Sequence, residues 1–252
     1  MKIAFDASRK PRAQKALEEL KSIYGNHAPK DADVLIVLGG DGAMLHALHH
    51  HADLDIPLYG MNAGTLGFLL NEYSTKDLEK RVKQAKKIDI HPLRMDVTDA
   101  RGKTYDGLAY NEVALLRQTH NAAYLKVYVN DKLRMPELVC DGVLLATPMG
   151  STAYNSSAGG PIIPLTANLL PLTPISAFRP RHWPGALITN GCNVRFEIMK
   201  AGERPVSATA DSTEIRDVKE VRIHQSRSIS RTLLFDPDSA LDERIFKEQF
   251  AS

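Results

Sequence analysis

Three glycines and one aspartate follow a run of apolar residues, and these residue types suggest chemistry on a phosphate. The run Val34–Leu38 is typical of a buried strand, and the turn Gly39–Gly42 follows it directly. Glycines let backbone N–H groups approach a ligand, and a helix predicted from Ala43 to His51 adds unpaired N–H donors, so the turn suits an anion. Asp41 opposes an anion unless it binds a metal or accepts a proton. The pattern therefore indicates phosphoryl transfer, the alternative being that Asp41 only caps the helix.

A second glycine-containing loop follows the next predicted strand, around Pro57–Gly60. Asn62 in this loop offers an amide that can donate and accept hydrogen bonds. The loop should lie at the carboxyl edge of the same sheet, where open α/β sheets bind ligands. Packing of one domain on the other explains Gly67-Phe68-Leu69 equally well.

A polar pair, Asn111-Glu112, precedes the predicted strand Val113–Leu116. A carboxylate beside an amide suits the adjacent hydroxyls of a ribose, because the hydroxyls donate to Glu and bond either way with Asn. Taken alone, the pair is also typical of a solvated turn.

The long segment from Asp141 to Pro161 joins a predicted buried strand to many small polar residues. Such a loop presents several donors at close range and leaves room for a large flat ligand. Tyr154 could stack on a base, while Thr152 and Ser157 could reach phosphate or sugar oxygens. A flexible linker is the alternative, but flexible linkers rarely carry a Tyr and several prolines around one defined strand.

The hydrophobic periodicity changes near residue 90, which predicts two domains. Before it, strand and helix patterns alternate, including a helix from Ser74 to about Lys87 that opens with a capping box, so we expect an α/β domain over residues 1–92 with a parallel sheet flanked by helices. After it, a β-rich domain is expected over 93–235, and the helical tail 236–252 should pack back on the first domain. The strands predicted after residue 90 are Val113–Leu116, Tyr124–Val129, Val143–Ala146, Ala186–Thr189, Val194–Ile198, Val206–Thr209, Val218–His224 and Thr232–Phe235.

Composition excludes several classes of partner. The 252 residues carry 32 Lys plus Arg against 30 Asp plus Glu, and this balance predicts no nucleic-acid partner. No apolar run approaches a membrane span, and two cysteines are too few for a disulfide framework, so we expect a cytoplasmic protein without a membrane partner. His46 and His50 share a helix face but have no nearby third ligand, so no metal site is predicted there.

Together the motifs resemble one family. GGDG at residues 39–42 is shared by NAD kinases, diacylglycerol-type lipid kinases and phosphofructokinases. The further blocks N-x-G-x-L-G-F-L, NE and D-G followed by T-P-x-G-S-T-A-Y-x-x-S-A-G-G-P occur in the order typical of NAD kinases. The chain is therefore identified as resembling a bacterial NAD kinase, whose fold is an α/β domain followed by a β-rich domain.

The resemblance implies a role for each matching position. Asp41 corresponds to the catalytic aspartate, regarded as the base for the ribose hydroxyl. The glycine turn would form the phosphate loop, with Gly39, Gly40 and Gly42. The expected nucleotide contacts are Asp41, Gly42, Asn62, Asn111, Glu112, Asp141, Thr152, Ala153, Tyr154, Asn155, Ser156, Ser157 and Asp211. Three positions depart from the family pattern, namely Ala43, Met149 and Ser212, and none removes a group that the chemistry needs.

The implied reaction is phosphorylation of the 2′-hydroxyl of the adenosine ribose of NAD, with ATP as donor and a divalent cation such as Mg²⁺, to give NADP. The resemblance also implies a homodimer or homotetramer that binds small-molecule nucleotides. Two alternatives remain: a lipid kinase of the diacylglycerol type, and a non-enzymatic NAD-binding regulator. A lipid kinase would not be expected to carry the Asp141–Pro161 segment, and a regulator would not need Asp41.

Overall fold

The computed structural model describes residues 1–63, 67–238, 243, 245–246 and 249–250. The first ninety residues form, in order, β1 (Ile3–Ala7), α1 (Pro11–Tyr24), a 3-10 turn (Pro29–Asp31), β2 (Val34–Gly39), α2 (Asp41–His50), β3 (Leu58–Asn62), α3 (Leu78–Gln84) and β4 (Lys86–Ile90). Then follow β5 (Leu93–Asp99), β6 (Thr104–Ala109), β7 (Glu112–Arg117), β8 (Ala123–Val129), β9 (Lys132–Cys140), β10 (Gly142–Ala146), a 3-10 helix (Met149–Thr152), α4 (Tyr154–Ser157), β11 (Leu169–Ile175), β12 (Ala186–Thr189), β13 (Val194–Ile198), β14 (Val206–Ala210), β15 (Thr213–Ile215), β16 (Val218–Gln225) and β17 (Arg231–Phe235).

The chain divides into two compact units. The first contains Met1–Ile90 and Ser230–Arg244, and the second contains His91–Ile229 and Ile245–Ser252. The first is an α/β unit and the second is β-rich, which confirms the predicted fold class.

The sheet of the first unit has the strand order β1-β2-β3-β17-β4. All neighbours pair in parallel except β17 and β4, which are antiparallel. Strand β2 is buried throughout, as expected for a parallel strand covered on both faces. Because Gly39 at the end of β2 is in register with Asn62 at the end of β3, the loops that follow these strands start side by side.

Three expectations for the first unit are corrected. Strand β17 belongs to this sheet and not to the β-rich domain, because it inserts between β3 and β4. The helix predicted from Ser74 to Lys87 spans only Leu78–Gln84, and Lys86–Ile90 instead forms the antiparallel edge strand β4. There is no capping box at Ser74, since its hydroxyl accepts the N–H of Lys76 within a turn before the helix.

The second unit consists of two six-stranded sheets, ordered β12-β11-β10-β7-β14-β15 and β6-β5-β16-β13-β8-β9. All their strand pairs are antiparallel. Alternation explains how the strands contribute to the core: Leu93, Met95 and Val97 of β5 are buried, while the residues between them are more exposed. Buried side chains of both sheets form one hydrophobic core.

The helical tail is described only in part. Asp236 accepts hydrogen bonds from Tyr59 and Arg81 of the first unit. By contrast, Gln249 donates to the carbonyl of Ile162 in the second unit, so this residue does not pack back on the first. The rest of the expectation lies outside the described residues. None of the helices within the described part of the chain is both long and apolar enough to cross a membrane.

Candidate functional site

The glycine turn at the end of β2 holds Asp41 at the first position of α2. Gly39 must be glycine, because its φ is +158° and an added Cβ would lie 2.6 Å from the Cβ of Ala43. Gly40 is the N-cap residue of α2, so Asp41 does not serve as its cap. An added Cβ at Gly40 or Gly42 would meet no atom within 4 Å, which leaves the turn open to a ligand.

The Asp41 carboxylate is held by the backbone of the second glycine-containing loop. Its Oδ2 accepts the N–H of Phe68 at 2.8 Å, and its Oδ1 accepts the N–H of Leu69 at 2.8 Å. Each carboxylate oxygen has two lone pairs, so both retain acceptor capacity for a hydroxyl or a cation. The two bonds fix the orientation of the carboxylate at the N-terminus of α2.

Asn62 ends β3 beside this turn and is half-buried. Its N–H donates to the carbonyl of Asn71 at 2.8 Å, which attaches the end of β3 to the returning chain. The structure therefore places Asn62 at the same sheet edge as Gly39, as expected from the sequence.

In the second unit, the Asp211 carboxylate organises the Asn111-Glu112 pair at the start of β7. It accepts three backbone N–H groups, those of Tyr110 at 2.7 Å, Asn111 at 3.0 Å and Glu112 at 3.3 Å. Asp211 follows β14, which pairs antiparallel with β7, and its φ of +47° turns the chain toward this position. The carboxylate of Asp211 thus binds the backbone of the polar pair.

Glu112 is the most perturbed acid of this region. Its Oε2 is buried and has no hydrogen-bond partner. The pKa of the Glu112 carboxyl is raised from about 4.5 to about 7, mainly by burial and also by the charge of Asp211, while the N–H of Tyr154 acts to lower it. A buried acceptor without a donor is uncommon in native proteins and suits a ligand that brings its own hydroxyl.

The segment after β10 folds against the polar pair. Thr147 donates its N–H to the carbonyl of Asn111 at 2.8 Å. Gly150 must be glycine, since an added Cβ would lie 2.1 Å from the carbonyl oxygen of Asn111. This close approach brings the 3-10 helix and α4 next to the start of β7.

Asn155, one of the expected nucleotide contacts, uses its side chain for hydrogen bonds within the protein. It is fully buried, and its Nδ2 donates to the carbonyls of Ser151 at 3.1 Å and Pro161 at 3.0 Å. Its Oδ1 accepts the hydroxyl of Thr173 at 2.6 Å. Since both N–H groups are used internally, the side chain binds the two ends of the loop together and has no donor left for a ligand.

The other residues of the run 152–157, which are also expected contacts, remain at least partly accessible. Tyr154 is 36% exposed, Ser157 is exposed, and Thr152, Ala153 and Ser156 are half-buried. Burial, followed by the charges of Glu112 and Asp141, raises the pKa of the Tyr154 phenol. The ring of Tyr154 is therefore available for stacking, and its hydroxyl lies within the electrostatic influence of two carboxylates.

Asp141 lies at the other end of the β7–β10 pair from Glu112. Glu112 is in register with Ala146, so Asp141 is five residues along the strand, on the order of 16 Å from it. Its Oδ1 accepts Nε of Arg117 at 2.6 Å, an ion pair that neutralises the carboxylate. The structure thus groups Asn111, Glu112, Tyr154 and Asp211 and places Asp141 at the opposite end of the strand pair from Glu112, where its charge still acts on the Tyr154 phenol.

The histidines after the glycine turn do not form a metal centre. The rings of His46 and His50 stack at 5.6 Å, while His51 is buried with its Nε2 3.1 Å from Oδ2 of Asp6. Among the described residues, no group of three or more His, Cys, Asp or Glu side chains could hold a metal ion by itself.

One polar residue near Asp41 was missed by the sequence analysis. Asn71 is 1% exposed and makes hydrogen bonds to both neighbouring strands, β3 and β17. Its position directly after three buried apolar residues, Phe68, Leu69 and Leu70, is the only local signal of an internal role.

A glycine turn that holds an oriented carboxylate, together with a polar pair beside an accessible tyrosine, suits a nucleotide phosphotransferase. Two family models match the chain: the ATP-NAD kinase N-terminal domain over residues 2–88 and the ATP-NAD kinase C-terminal domain over residues 110–233. The NAD kinase of Caulobacter vibrioides is 52% identical over 251 residues, which cover 100% of this chain and 96% of that protein. The NAD kinase of Rhizobium meliloti is 52% identical over 250 residues, covering 99% and 97%. The chain belongs to the NAD kinase family.

Solved structures agree on the fold. The yeast NADH kinase complexed with NADH has a TM-score of 0.84 at 19% identity, covering 98% of this chain and 86% of that one. An NAD kinase from Archaeoglobus fulgidus in complex with ATP has a TM-score of 0.76 at 22% identity, covering 98% of both chains. These likenesses support the two-unit architecture. Neither a lipid kinase nor a non-enzymatic regulator gains support from the matches.

Proposed function

We propose that this chain transfers the terminal phosphoryl group of ATP to the 2′-hydroxyl of the adenosine ribose of NAD, giving NADP and ADP. Membership of the NAD kinase family supports phosphorylation of NAD with ATP.

The observation that carries the proposal is the buried, unpartnered Oε2 of Glu112. A ribose presents two adjacent hydroxyls, and one of them can donate to this oxygen while Asn111 bonds to the other. A diacylglycerol brings a single hydroxyl, and a fully ionised inorganic anion brings none. The exposed ring of Tyr154, whose N–H already approaches Glu112, is then available to stack on the base.

Asp41 is proposed as the catalytic residue. Its oriented carboxylate accepts the hydrogen bond of the attacking hydroxyl and so directs the oxygen lone pair at the phosphorus. The hydroxyl oxygen forms the new P–O bond, the bond to ADP breaks, and the proton passes to Asp41. Because phosphoryl transfer has a loose transition state, this proton moves late, and orientation contributes as much as basicity.

The backbone N–H groups of the glycine turn and of the first turn of α2 are proposed to hold the phosphates of the donor. Gly39, Gly40 and Gly42 allow this approach. Gly40 and Gly42 in particular have no side chain that would cover the open face of the turn. In the second unit, Thr152, Ala153, Ser156 and Ser157 are proposed to contact NAD. Asp211 acts through the backbone of the polar pair, whose N–H groups it binds. Asp141, whose charge acts on the Tyr154 phenol, is proposed to contact the nucleotide on that side of the ring.

Mg²⁺ is the proposed cofactor, and the residues fit it. Magnesium is commonly bound by one or two carboxylates with the phosphates of the substrate and not by a full protein cage. Asp41 supplies one carboxylate with free lone pairs at the phosphate turn. When bound, the cation neutralises charge that develops on the donor phosphates.

We also propose, from the family resemblance, that the chain assembles as a homodimer or homotetramer and acts in the cytoplasm. Sedimentation of the protein under assay conditions tests the assembly. A monomer with full activity per subunit would contradict it.

The activity is tested by incubating the protein with NAD, ATP and MgCl₂ and measuring NADP with an NADP-specific dehydrogenase. Asp41→Asn keeps the shape and removes the charge, so kcat should fall by about two to four orders of magnitude with little change in NAD binding. Asp53→Asn, at an exposed position of the same unit, is the matched control and should keep full activity. No NADP from the unmodified protein refutes the function, and an Asp41→Asn variant within a few-fold of it refutes the catalytic assignment.

A further inference from the structure

We propose that Asn71 is a positioning residue for catalysis: it anchors the turn of residues 67–70, whose N–H groups hold the Asp41 carboxylate. This inference rests on the proposed function of Asp41. Asn71 touches neither Asp41 nor the glycine turn in any described hydrogen bond, and it acts through the backbone between them.

The anchor consists of five hydrogen bonds made by one residue. The Asn71 backbone N–H donates to Gly60 at 2.8 Å, and its carbonyl accepts the N–H of Asn62 at 2.8 Å. The side-chain Nδ2 donates to the carbonyls of Gly60 and Leu234, each at 3.0 Å, and Oδ1 accepts the N–H of Asp236 at 2.8 Å. Both amide hydrogens and the amide oxygen are therefore used.

These bonds attach Asn71 to two neighbouring strands. The residue forms a parallel bridge with Met61 of β3, while its side chain reaches β17 and the residue that follows it. Asn71 is 1% exposed, so water cannot replace bonds that are lost. Leucine, aspartate or serine cannot reproduce this pattern of two donors and one acceptor.

The anchored residue fixes the turn because so few residues separate them. Leu69 and Phe68, which donate to Asp41, lie only two and three residues before Asn71. Leu70 between them is buried against Gly60, where an added Cβ would lie 2.4 Å from Cδ2 of Leu70. With Asn71 held on the sheet, the turn has little freedom to move relative to Asp41.

Gly67 shows how closely the turn approaches the carboxylate. An added Cβ at Gly67 would lie 2.9 Å from Oδ1 of Asp41, which is closer than ordinary van der Waals contact. The added Cβ would also lie 2.8 Å from Cδ1 of Leu70, so a side chain at this position must displace the Asp41 carboxylate, the Leu70 side chain or the turn itself. Gly67→Ala is therefore a second way to disturb Asp41, and it leaves every hydrogen bond of Asn71 in place.

The test is a double-mutant cycle on the full-length protein. Asn71→Ala should lower kcat about 10- to 100-fold, the cost of misplacing a reacting group by about 1 Å, while KM for NAD changes less than about threefold. In the Asp41→Asn background the same substitution should lower kcat less than about threefold further, because the group that it positions is gone. A purely structural role would lower kcat by the same factor in both backgrounds.

The matched control is Tyr59→Phe, which removes the hydrogen bond from Tyr59 to Oδ1 of Asp236 in the same network. It should lower the melting temperature and leave kcat within about twofold. Gly67→Ala should lower kcat without removing a hydrogen bond of Asn71, so the proposal stays testable if Asn71→Ala does not fold. Unchanged kcat in Gly67→Ala, or equal losses in both backgrounds, overturns the positioning role.

The cycle also separates this inference from the proposed function. If Asp41→Asn keeps its activity, the catalytic assignment and the positioning role both fail. If Asp41→Asn is inactive and Asn71→Ala is fully active, only the positioning role fails.

Discussion

Replacing Glu112 by glutamine should stabilise the free protein at pH 8 and weaken its binding of NAD. The Glu112 carboxyl is half-buried, its Oε2 has no partner, and its pKa is raised to about 7 in the folded protein. Ionising it therefore costs folding free energy that the unfolded chain does not lose. A neutral amide of the same shape avoids most of this cost.

The sign and size follow from linkage. Because the folded pKa lies above the unfolded value of about 4.5, the folded state binds more protons between pH 4.5 and 7, and stability falls as pH rises through this window. A tenfold change in an equilibrium constant is about 1.4 kcal/mol, so the full penalty would be about 3 kcal/mol. Solvent around the half-buried side chain reduces it, and we expect Glu112→Gln to gain about 1–3 kcal/mol at pH 8 and nothing near pH 4.5.

Binding should change in the opposite direction. If the ionised carboxylate accepts the ribose hydroxyl, only about a tenth of the free protein is competent at pH 6, and the Kd for NAD should be roughly tenfold weaker there than at pH 8. Glu112→Gln should bind NAD more weakly at pH 8 and lose this pH dependence. Its KM for ATP should change much less.

The assay is urea unfolding at several pH values, followed by the fluorescence of Trp183. This is the only tryptophan of the chain, and it packs against the core of the second unit, which contains Glu112. Glu203→Gln, at an exposed position of the same unit, is the control and should leave stability unchanged. A Glu112→Gln variant no more stable than the unmodified protein at pH 8, or with the same pH slope, refutes the reasoning.

Two further predictions test the assembly of each unit. Asn155→Ala leaves two carbonyls and the Thr173 hydroxyl without their buried partner, so it should destabilise the second unit by about 2–4 kcal/mol. The loss is measured by urea unfolding followed by Trp183 fluorescence. If Asn155 only contacted the ligand, the substitution would change only the KM for NAD. A fragment ending at residue 92 lacks Glu112, so it should not bind NAD. It also lacks β17, which lies between β3 and β4 in the sheet, so its circular dichroism should show no cooperative unfolding. A sharp melting transition would contradict this view of the sheet.

Much of the fold could be predicted because the signals are local. The buried run of β2 and the glycines after it indicate a strand followed by a phosphate turn, and the alternation of later segments indicates β-structure. Other strands gave no such signal. Strand β11 contains Pro171 and Pro174, which lack the N–H of a ladder, and β4 carries two lysines that resemble the end of a helix.

The internal bonds of the candidate site were beyond a sequence pattern. A polar residue within a motif predicts a contact, but the pattern does not say whether its partner is a ligand or the protein. Asn155 and Asp211 both lie in or near family motifs, yet the side chain of the first bonds to its own loop and to Thr173 of β11, and the second binds three backbone N–H groups. The Asn71 side chain donates hydrogen bonds to β3 and β17, which are far apart in the sequence, so no local sequence pattern could predict these bonds.

The late return of β17 has a consequence for synthesis on the ribosome. About 140 residues separate the end of β4 from the start of β17, which corresponds to on the order of 10 s of translation. Throughout that interval β3 has an unpaired edge and β4 has no strand to join, because β17 is the neighbour of both. An open strand edge is a template for pairing with other chains. The first unit of the nascent chain therefore stays incomplete, with an open strand edge prone to association, until β17 has been made.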